Sequence, residues 1–355
     1  MNYNGNVGRN LPFWLGTGEH ILPDAYHILG PLGATLNNPV SNPFYGQIPL
    51  NTGQGGKTLP FGRMFQLNPL WQELWTMGEP LGTSNYNAGY IQMEHRFGRG
   101  FGFLANYTVS KILQDVGAID NQQSQGPNQQ AFPQAGLGLG DIYGIAPSDI
   151  SQKFLFNYSV DIPAGKGKRL LGNPQGLGEK LLDGIAGGWR MAGTTTFRSG
   201  QPVLVYTPSG GVGGLGSQWY NIGQGRTSRP RFVNPRIPYD NQVSGHTALE
   251  GSANFQPYFN PNAFRLVQGF EIGDVGSTLP NMRGPGFSQW DFSLLKDFRL
   301  PKEGSRLQLR LEAQNVFNHM NAGNPNGAVT QLTFGRITSY VGTPRLVMVA
   351  AKINF

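Results

Sequence analysis

The sequence contains few segments whose residue types and spacing could support chemistry. Residues 211–216 (GVGGLG) fit the G-x-G-x-x-G pattern of dinucleotide-binding turns, but no helical pattern follows them and no acidic residue lies about 20 positions on. Residues 164–168 (AGKGK) lack the spacing and the Ser or Thr of a phosphate-binding P-loop. We therefore interpret the first segment as a flexible loop and the second as a basic turn.

The sequence also gives no clear indication of a metal site or of acid–base catalysis. The five histidines are dispersed without metal-ligand spacing, and there is no cysteine to supply a thiolate. Asp115 with Asp120, and Asp141 with Asp149, could bind calcium in a loop, but no EF-hand spacing supports this. No G-x-S-x-G nucleophile segment is present. We expect no enzymatic activity, no cofactor and no metal site.

The composition favours many strands joined by polar loops. Charged residues make up 13% of the 355 residues, well below the ~25% of typical soluble domains. Glycine (52), proline (26) and aromatic residues (12%) are abundant. The net charge of +7 favours anionic partners such as lipopolysaccharide, whereas no dense Lys/Arg run with interleaved aromatics supports nucleic-acid binding. No run of 18 apolar residues predicts a membrane-spanning helix.

The last residues, 343–355 (TPRLVMVAAKINF), show clear alternation of apolar and other side chains. One face carries Arg345, Val347, Val349, Ala351, Ile353 and Phe355, and the other carries Leu346, Met348, Ala350, Lys352 and Asn354. Free termini fray unless something pairs with them. A closed β-barrel in a membrane gives such a strand two partners and a lipid environment. A C-terminal edge strand of a soluble sandwich is the alternative interpretation.

Six further segments alternate in the same way. They are residues 86–97, 101–112, 153–163, 186–198, 289–300 and 306–318. The first two flank a Gly-rich turn and predict a β-hairpin. Lys296 interrupts the apolar face of its segment, and we expect its side chain to extend to a membrane interface. Residues 199–286 are predicted to be mostly irregular, with short extra strands such as 203–206.

Three features of these segments favour a membrane. Their apolar faces are rich in aromatic residues, as in the girdles at lipid interfaces. They are ten to thirteen residues long, which matches a tilted span of a bilayer better than the about five or six residues of soluble strands. Short connections (98–100 and 301–305) and a moderate one (164–184) alternate with long loops (115–150, 199–286 and 319–342), which is typical of outer-membrane barrels.

We therefore predict an all-β fold, an antiparallel transmembrane β-barrel segment of about eight strands with long extracellular loops. The eighth strand would lie near residues 1–8. We divide the chain into residues 1–85, a partial strand and long loop region of the barrel, and residues 86–355, the C-terminal barrel strands and loops. The polar N-terminus does not read as a signal peptide. We expect that Met1 is not the native start and that plug and N-terminal domains are missing from this chain.

Several motifs occur together, in order, in one family. They are YNAGYIQMEHRFGRGFGFLANYTVSKILQD, FNYSVDIPAGKGKRLLG, GGWRMAGTTTFRSGQPV, RLEAQNVFNHMNAGNPNG and FGRITS, followed by the terminal KINF. They resemble the last strands of TonB-dependent receptors of the Oar-like type, which carry a carboxypeptidase-regulatory-like N-terminal domain and abound in acidobacteria. The resemblance covers residues 84–355 well and residues 1–83 loosely.

This resemblance implies a 22-stranded barrel of the outer membrane, with a plug in its lumen and energy supplied by TonB. TonB would act only through the missing N-terminal part. The long outer loops would bind a ligand, whose identity the sequence does not give, and the barrel would admit it. The other expected partners are outer-membrane lipid, lipopolysaccharide and the barrel-assembly machinery.

Three groups of residues receive roles in this hypothesis. The lumen-facing candidates are Gln92, Glu94, Arg96, Arg190, Arg306, Arg310 and Glu312. The aromatic girdle candidates are Phe97, Phe101, Trp189, Trp290 and Phe317. The barrel-assembly signal would consist of Val347, Val349, Ala351, Ile353 and Phe355.

Two other functions stay open at this point. An independent eight-stranded barrel would act as a passive pore or structural anchor, although side chains fill the interior of a barrel of that size. A secreted β-sandwich that binds glycans through aromatic loops is the less favoured alternative.

Overall fold

The computed structural model describes residues 1–16, 32–48, 55–65, 75–115, 143–170, 172–173, 175–207, 231–236, 238–240, 243–266, 273–276, 278–299 and 305–354. In chain order its strands are β1 (Asn2–Gly16), β2 (Pro39–Ser41), β3 (Thr58–Pro60), β4 (Trp75–Gly98), β5 (Phe101–Gln114), β6 (Gly144–Ile145), β7 (Gln152–Asp161), β8 (Trp189–Arg198), β9 (Arg231–Phe232), β10 (Phe264–Arg265), β11 (Phe287–Arg299), β12 (Arg306–Gln314), β13 (Asn321–Ala322), β14 (Tyr340–Val341) and β15 (Leu346–Asn354). One α-helix, α1 (Leu177–Ala186), and 3-10 helices at Gly33–Asn37, Phe61–Phe65 and Pro261–Ala263 complete the described elements. Within these residues, no helix combines the length and apolar character needed to cross a membrane.

One antiparallel sheet organises the molecule. Its long strands lie in the order β1-β4-β5-β7-β8-β11-β12-β15, and the short β6 pairs with β5. Each long strand pairs with the long strands that precede and follow it along the chain, so the topology is a simple up-and-down meander. β1 and β15 form the two edges and do not pair with each other in the described residues. The predicted all-β antiparallel fold is confirmed.

The strands at the N-terminal side are longer than the sequence pattern predicts. β4 begins at Trp75 rather than at residue 86, so the expected boundary between residues 85 and 86 lies inside this strand. β1 extends to Gly16 and follows β4 through three register shifts. The terminal strand occupies Leu346–Asn354, and Phe355 lies outside the described residues.

The strand ends follow from local backbone chemistry. Arg99 and Gly100 have φ angles of 53° and 84°, the left-handed conformations that a tight turn between two twisted strands requires. β12 ends at Gln314, earlier than the predicted residue 318, because Asn315 adopts a φ of 49° and starts a turn. Asparagine tolerates this conformation better than most residues do.

The strand registers join the predicted apolar faces into one continuous face. Ile91 lies opposite Tyr107, Tyr107 opposite Phe154, and Phe154 opposite Phe197. Farther along the sheet, Leu311 lies between Leu294 and Val349. Since neighbouring side chains in a strand point to opposite faces, the intervening polar residues line up on the other side of the sheet.

The most buried residues lie outside this sheet, at the end where β5, β8 and β12 finish. We use the name cap for the described residues among 199–286 and 315–345, and the name turn end for the opposite end of the sheet. The cap core consists of Val203, Val205, Phe259, Ala263, Phe264, Val275, Leu279 and Met282. These loops therefore form a packed unit of their own.

The segment of the cap that follows β8 crosses this core in an extended conformation. Val203 exchanges backbone hydrogen bonds with Met282 and Leu279, at 3.1 and 3.0 Å. Tyr206 pairs in the same way with Gly327 and Val329, at 2.9 and 3.0 Å. The extra strand expected at residues 203–206 is thus represented by isolated bridges at Pro202 and Tyr206.

Candidate functional site: the polar face of the sheet and the cap above it

The polar face of the sheet carries the residues predicted to line a lumen. The register aligns Glu94, Asn157, Thr194 and Asp291 in one row across five of its strands, with Leu104 of β5 between Glu94 and Asn157. A shallow groove of about 410 Å³ crosses β7, β8, β11, β12 and β15 and includes Thr194, Asp291, Glu312 and Met348 in its lining. The face therefore offers hydrogen-bond donors, acceptors and both signs of charge along one surface.

Ion pairs near the turn end neutralise much of the charge on this face. The Arg190 guanidinium lies 2.8 Å from the Asp161 carboxylate, and the Lys168 ammonium lies 3.9 Å from the same group. On β12, the Arg310 guanidinium donates to Glu312 at 3.1 Å and to Gln308 at 3.3 Å. Gln308 continues this chain by donating to Asp297 at 3.0 Å.

The structure divides the predicted lumen residues between two parts of the polar face. Gln92, Glu94 and Arg96 are exposed on β4, where Arg96 pairs with Glu94 at 3.6 Å. Arg190 and Arg310 lie closer together, because each pairs in register with Leu295 from one side. Arg306 is exposed at the turn end, opposite Asn354.

Phe97 departs from the predicted aromatic girdle. The β4–β5 register shifts between His95 and Gly98, and this irregularity breaks the alternation that put Phe97 on the apolar face. Its ring instead lies beneath the Arg190 guanidinium, 4.8 Å from the guanidinium carbon to the ring centroid. Phe97 therefore contacts a residue of the polar face, and a cation–π contact replaces the expected contact with lipid.

The other girdle candidates form two aromatic groups at opposite ends of the sheet. Near the cap, Trp290 packs edge-on against Phe197 at 5.2 Å and against Phe317 at 5.4 Å. Near the turn end, Phe101 contacts Phe103 at 5.6 Å. Trp189, also at the turn end, donates its indole N–H to the Ile185 carbonyl at 2.8 Å.

The candidate assembly residues lie on β15, one of the two edge strands of the sheet. Val347, Val349, Ala351 and Ile353 pair in register with Ala313, Leu311, Leu309 and Leu307. They extend the apolar face to the edge of the sheet, where Val349 is 80% exposed. Their role as an assembly signal stays a prediction.

A buried ion pair between the sheet rim and the cap escaped the sequence analysis. Asp149 is fully buried, and one of its carboxylate oxygens pairs with the Arg283 guanidinium. The other accepts the Ile112 backbone N–H at 2.7 Å, and Arg283 also donates to the Gly200 carbonyl at 3.1 Å. The pair therefore joins β5, the segment before β7 and two parts of the cap. The sequence does not predict this pair, because the two residues are far apart in the chain and no local pattern links residues 149 and 283.

Asn321 makes a second connection of this kind. Its side-chain carbonyl accepts the Ser288 N–H at 2.8 Å, and its side-chain amide donates to the Ser288 carbonyl at 2.9 Å. The amide thus acts as one further strand residue at the end of β11. An asparagine in a predicted loop gives no signal for such a pairing before the fold is known.

Between the rim and the cap lies a cavity of about 260 Å³. Its lining includes Arg198, Gln201, Phe287, Asn324 and Ser339. The Arg198 guanidinium lies over the Phe287 ring, 4.7 Å from its centroid. A cation, an aromatic ring and amide groups around one cavity match the mixed polar and apolar lining of a small-molecule site.

Two tyrosines of the cap have shifted acid–base properties. Burial, with a smaller contribution from the Asp240 carboxylate, raises the pKa of Tyr258 to about 12. Its hydroxyl donates to the Arg283 carbonyl at 2.8 Å. Burial also raises the pKa of Tyr206. Both groups are neutral hydrogen-bonding groups at ordinary pH.

The described acidic residues among the considered calcium ligands have protein partners. Asp115 accepts the Thr83 N–H at 2.5 Å and the Thr83 hydroxyl at 2.8 Å, while Asp149 is held by Arg283. Asp120, Asp141 and residues 211–216 lie outside the described residues. In the part of the chain that the structure describes, no group of three or more His, Asp or Glu side chains is arranged to hold a metal ion.

Comparison with known families gives the class of this protein. Residues 1–347 match the family model described as an outer membrane beta barrel domain. The chain belongs to this family, and its place is the outer membrane. No curated protein matches the sequence. The sheet with one apolar and one polar face is thus part of an outer-membrane barrel.

Proposed function

We propose that this chain forms the C-terminal part of the barrel of a TonB-dependent receptor of the Oar-like type, which binds a ligand at the cap and admits it along the polar face. The supporting observation is the open sheet. The edges of β1 and β15 do not pair with each other within the described residues. An unpaired strand edge in hydrocarbon costs several kcal/mol for each unsatisfied backbone group, so further strands of a larger barrel would cover these edges.

The chemistry of the polar face supports a lumen. In a small barrel this face would be filled by packed side chains, whereas a larger barrel leaves room for water or a plug. Arg190 and Arg310 are exposed on this face, and Glu312 is half-buried. Their side chains pair with neighbouring carboxylate, amide and guanidinium groups. Such a surface suits a water-filled lumen that passes solutes of either charge.

The cap supports the part of the proposal that concerns ligand binding. It has a packed apolar core and a cavity at its junction with the barrel rim, so its surface is shaped before any ligand arrives. By the asymmetry of outer-membrane barrels, the cap end faces outside and the turn end faces the periplasm. Lipopolysaccharide would surround the cap end, and β15 would serve the assembly machinery. This function requires no catalytic residue.

The proposal is tested in native outer membranes with an antibody raised against residues 319–342. We expect an outer-membrane band much heavier than 38.7 kDa, and in-cell cross-linking should join that band to TonB. A heavy band without a TonB cross-link would contradict energy coupling. Recovery of the chain in the soluble fraction would contradict the whole assignment.

A small closed barrel is the second candidate. The sheet has an even number of long strands in alternating directions, so β1 and β15 run antiparallel and have the polarity needed for closure. In that case the native band would run at 38.7 kDa and would shift on heating, as compact barrels do. The polar face would then be filled by its own side chains, and the protein would be an anchor rather than a transporter.

A further inference from the structure

The helix α1 at the turn end exposes an apolar stripe that nothing in the described structure covers. Leu177, Leu181 and Ile185 are 84%, 69% and 70% exposed, and Leu182 is 54% exposed. At 3.6 residues per turn these four side chains occupy an arc of about 140°. Glu179, Lys180 and Asp183 occupy the opposite side. This is the pattern of a helix that lies at a boundary between apolar and polar surroundings.

The attachment of α1 places its C-terminal end against the apolar face of the sheet. Lys296 sits on that face, in register between Trp189 and Leu309, and only 4% of it is exposed. Its ammonium donates to the Gly184 and Ile185 carbonyls at 2.5 and 2.8 Å. The Trp189 indole N–H donates to the same Ile185 carbonyl. The Lys296 side chain, which is predicted to extend to a membrane interface, is bound by the last carbonyls of α1.

The polar side of the helix is fixed to the connection before it. The Asp183 carboxylate accepts the Lys166 backbone N–H at 2.7 Å. The Glu179 carboxylate accepts the Gln175 N–H, also at 2.7 Å, and so closes the first turn. The C-terminal part of α1 is therefore held both by Lys296 and by the connection before the helix, and this gives the stripe one direction relative to the sheet.

We infer that α1 lies in the plane of the outer membrane and inserts its leucine and isoleucine side chains among the acyl chains of the periplasmic phospholipid leaflet. The apolar face that carries Trp189 and Lys296 is the lipid-facing surface of the barrel, so the stripe of α1 continues a surface that already contacts lipid. Trp189 has the residue type that marks the membrane interface. Lys166, Arg169 and Lys180 lie on or before the helix and suit anionic phospholipid headgroups.

This inference rests on the outer-membrane barrel and not on coupling to TonB. In this arrangement α1 fixes the depth of the barrel in the bilayer. The two hydrogen bonds from Lys296 join the helix to β11, so sliding of the barrel in the bilayer would drag the stripe out of the acyl region.

The test uses spin labels on single cysteines; these 355 residues contain no cysteine, and any cysteine elsewhere in the whole protein is first replaced by serine. The whole protein, purified from outer membranes, is placed in vesicles of phosphatidylethanolamine and phosphatidylglycerol. One variant carries the label at Leu181→Cys and its matched control carries it at Lys180→Cys, one residue away on the polar side. Collision rates with oxygen, which enters hydrocarbon, and with a water-soluble nickel chelate are then measured. Only variants that keep the heat-dependent gel shift of the native protein are compared.

We expect the ratio of oxygen to nickel collisions to be several-fold higher for Leu181→Cys than for Lys180→Cys. Equal ratios with strong nickel collisions at both positions would mean that the stripe faces water and would overturn the inference. Weak collisions with both reagents at Leu181→Cys would mean that protein covers the stripe and would overturn it as well.

A second variant tests the attachment. Lys296→Met removes both hydrogen bonds to α1 and should increase the mobility of the label at Leu181→Cys and lower its oxygen-to-nickel ratio. Lys352→Met on β15, which removes a lysine from the polar face, is the control and should change neither quantity. An unchanged label in Lys296→Met would show that Lys296 does not hold the helix.

Discussion

The sheet and the cap place the same kinds of side chain in opposite surroundings. On the sheet, Val349 and Met93 are 80% and 59% exposed. In the cap, Phe259 and Met282 are 0% and 1% exposed. Burial of apolar surface stabilises a fold only where water would otherwise contact that surface. The cap therefore folds as a water-soluble unit does, whereas the apolar face of the sheet depends on lipid as its solvent.

The polar residues of the two regions differ in exposure in the same direction. On the sheet, Arg310 is exposed, Glu312 is half-buried, and the two pair with each other along one strand. At the junction of the rim and the cap, Asp149 and Asn321 are 0% and 5% exposed, and their polar groups are bonded to protein. A buried polar group is costly without such partners. The stability of the cap and the stability of the sheet should therefore respond to different substitutions.

The largest effect is expected in the cap core. Phe259→Ala removes a fully buried ring that packs edge-on against Phe264 and Phe334, and should destabilise the cap by about 3 to 5 kcal/mol. Limited proteolysis of the protein in vesicles should cut the cap loops faster while the heat-dependent gel shift stays. The control is Val349→Ala on the exposed apolar face, which should leave both measurements near those of the native protein. Equal sensitivity of the two variants would remove the distinction between the regions.

The second-largest effect is expected at the ion pair that joins the cap to the rim of the sheet. Arg283→Met leaves the Asp149 carboxylate buried without its guanidinium, which should cost about 3 kcal/mol, the lower end of the usual range because Arg283 is partly exposed. The junction of cap and rim should open, and hydrogen exchange at Ile112 should rise. Arg336→Met breaks an exposed pair with Glu250 and should cost less than about 1 kcal/mol. Similar exchange in the two variants would contradict the structural role of the buried pair.

A smaller effect is expected on the sheet, and it should depend on the face. Leu311→Lys puts a charge on the lipid face near the middle of β12 and should cost about 2 kcal/mol of barrel stability. Gln308→Lys puts the same charge on the polar face of the same strand, in register between Asp297 and Lys352, and should cost less than Leu311→Lys. Guanidinium unfolding in vesicles, followed by the heat-dependent gel shift, compares the two. A larger loss for Gln308→Lys would reverse the assignment of the faces.

The smallest effect concerns pH and the cap alone. Since the folded cap raises the pKa of Tyr258 from 10.0 to about 12, the folded state holds its proton where the unfolded state has lost it. The contribution of Tyr258 to stability is therefore complete below pH 10 and is lost as the pH rises toward 12. Proteolysis of the cap should accelerate across this interval. Tyr258→Phe should weaken that dependence, and an identical pH profile for the variant would exclude Tyr258 as its source.

The two regions also differ in how well the sequence predicts them. Strand period 2 identified seven of the long strands, because lipid on one face and polar surroundings on the other require strict alternation at positions such as 307–313. The same rule failed at Phe97, where a register shift in the hairpin turned the side chain to the other face. It also missed the first part of β4, whose residues show no sustained period.

The sequence predicts almost nothing of the fold of the cap, and the reason is physical. Its core gathers side chains from segments far apart in the chain, such as Val203, Phe259 and Met282, and its backbone pairs through isolated bridges and two-residue strands rather than long ladders. Nothing local marks Asp149 as the partner of Arg283, or Gly327 as the point where a side chain would overlap the Leu204 carbonyl oxygen. Contacts of this kind are decided by tertiary packing, which a periodic pattern does not encode.

The central claim, that lipid covers one face of the sheet and only protein covers the core of the cap, is tested most directly by photolabelling. A membrane-soluble diazirine is activated in native outer membranes, and the labelled residues are mapped by mass spectrometry. We expect labels at Leu294, Leu311 and Val349, and none at Val203, Phe259 or Met282. Labels on the cap core, or on Arg310 and Glu312 in place of Leu311 and Val349, would contradict it.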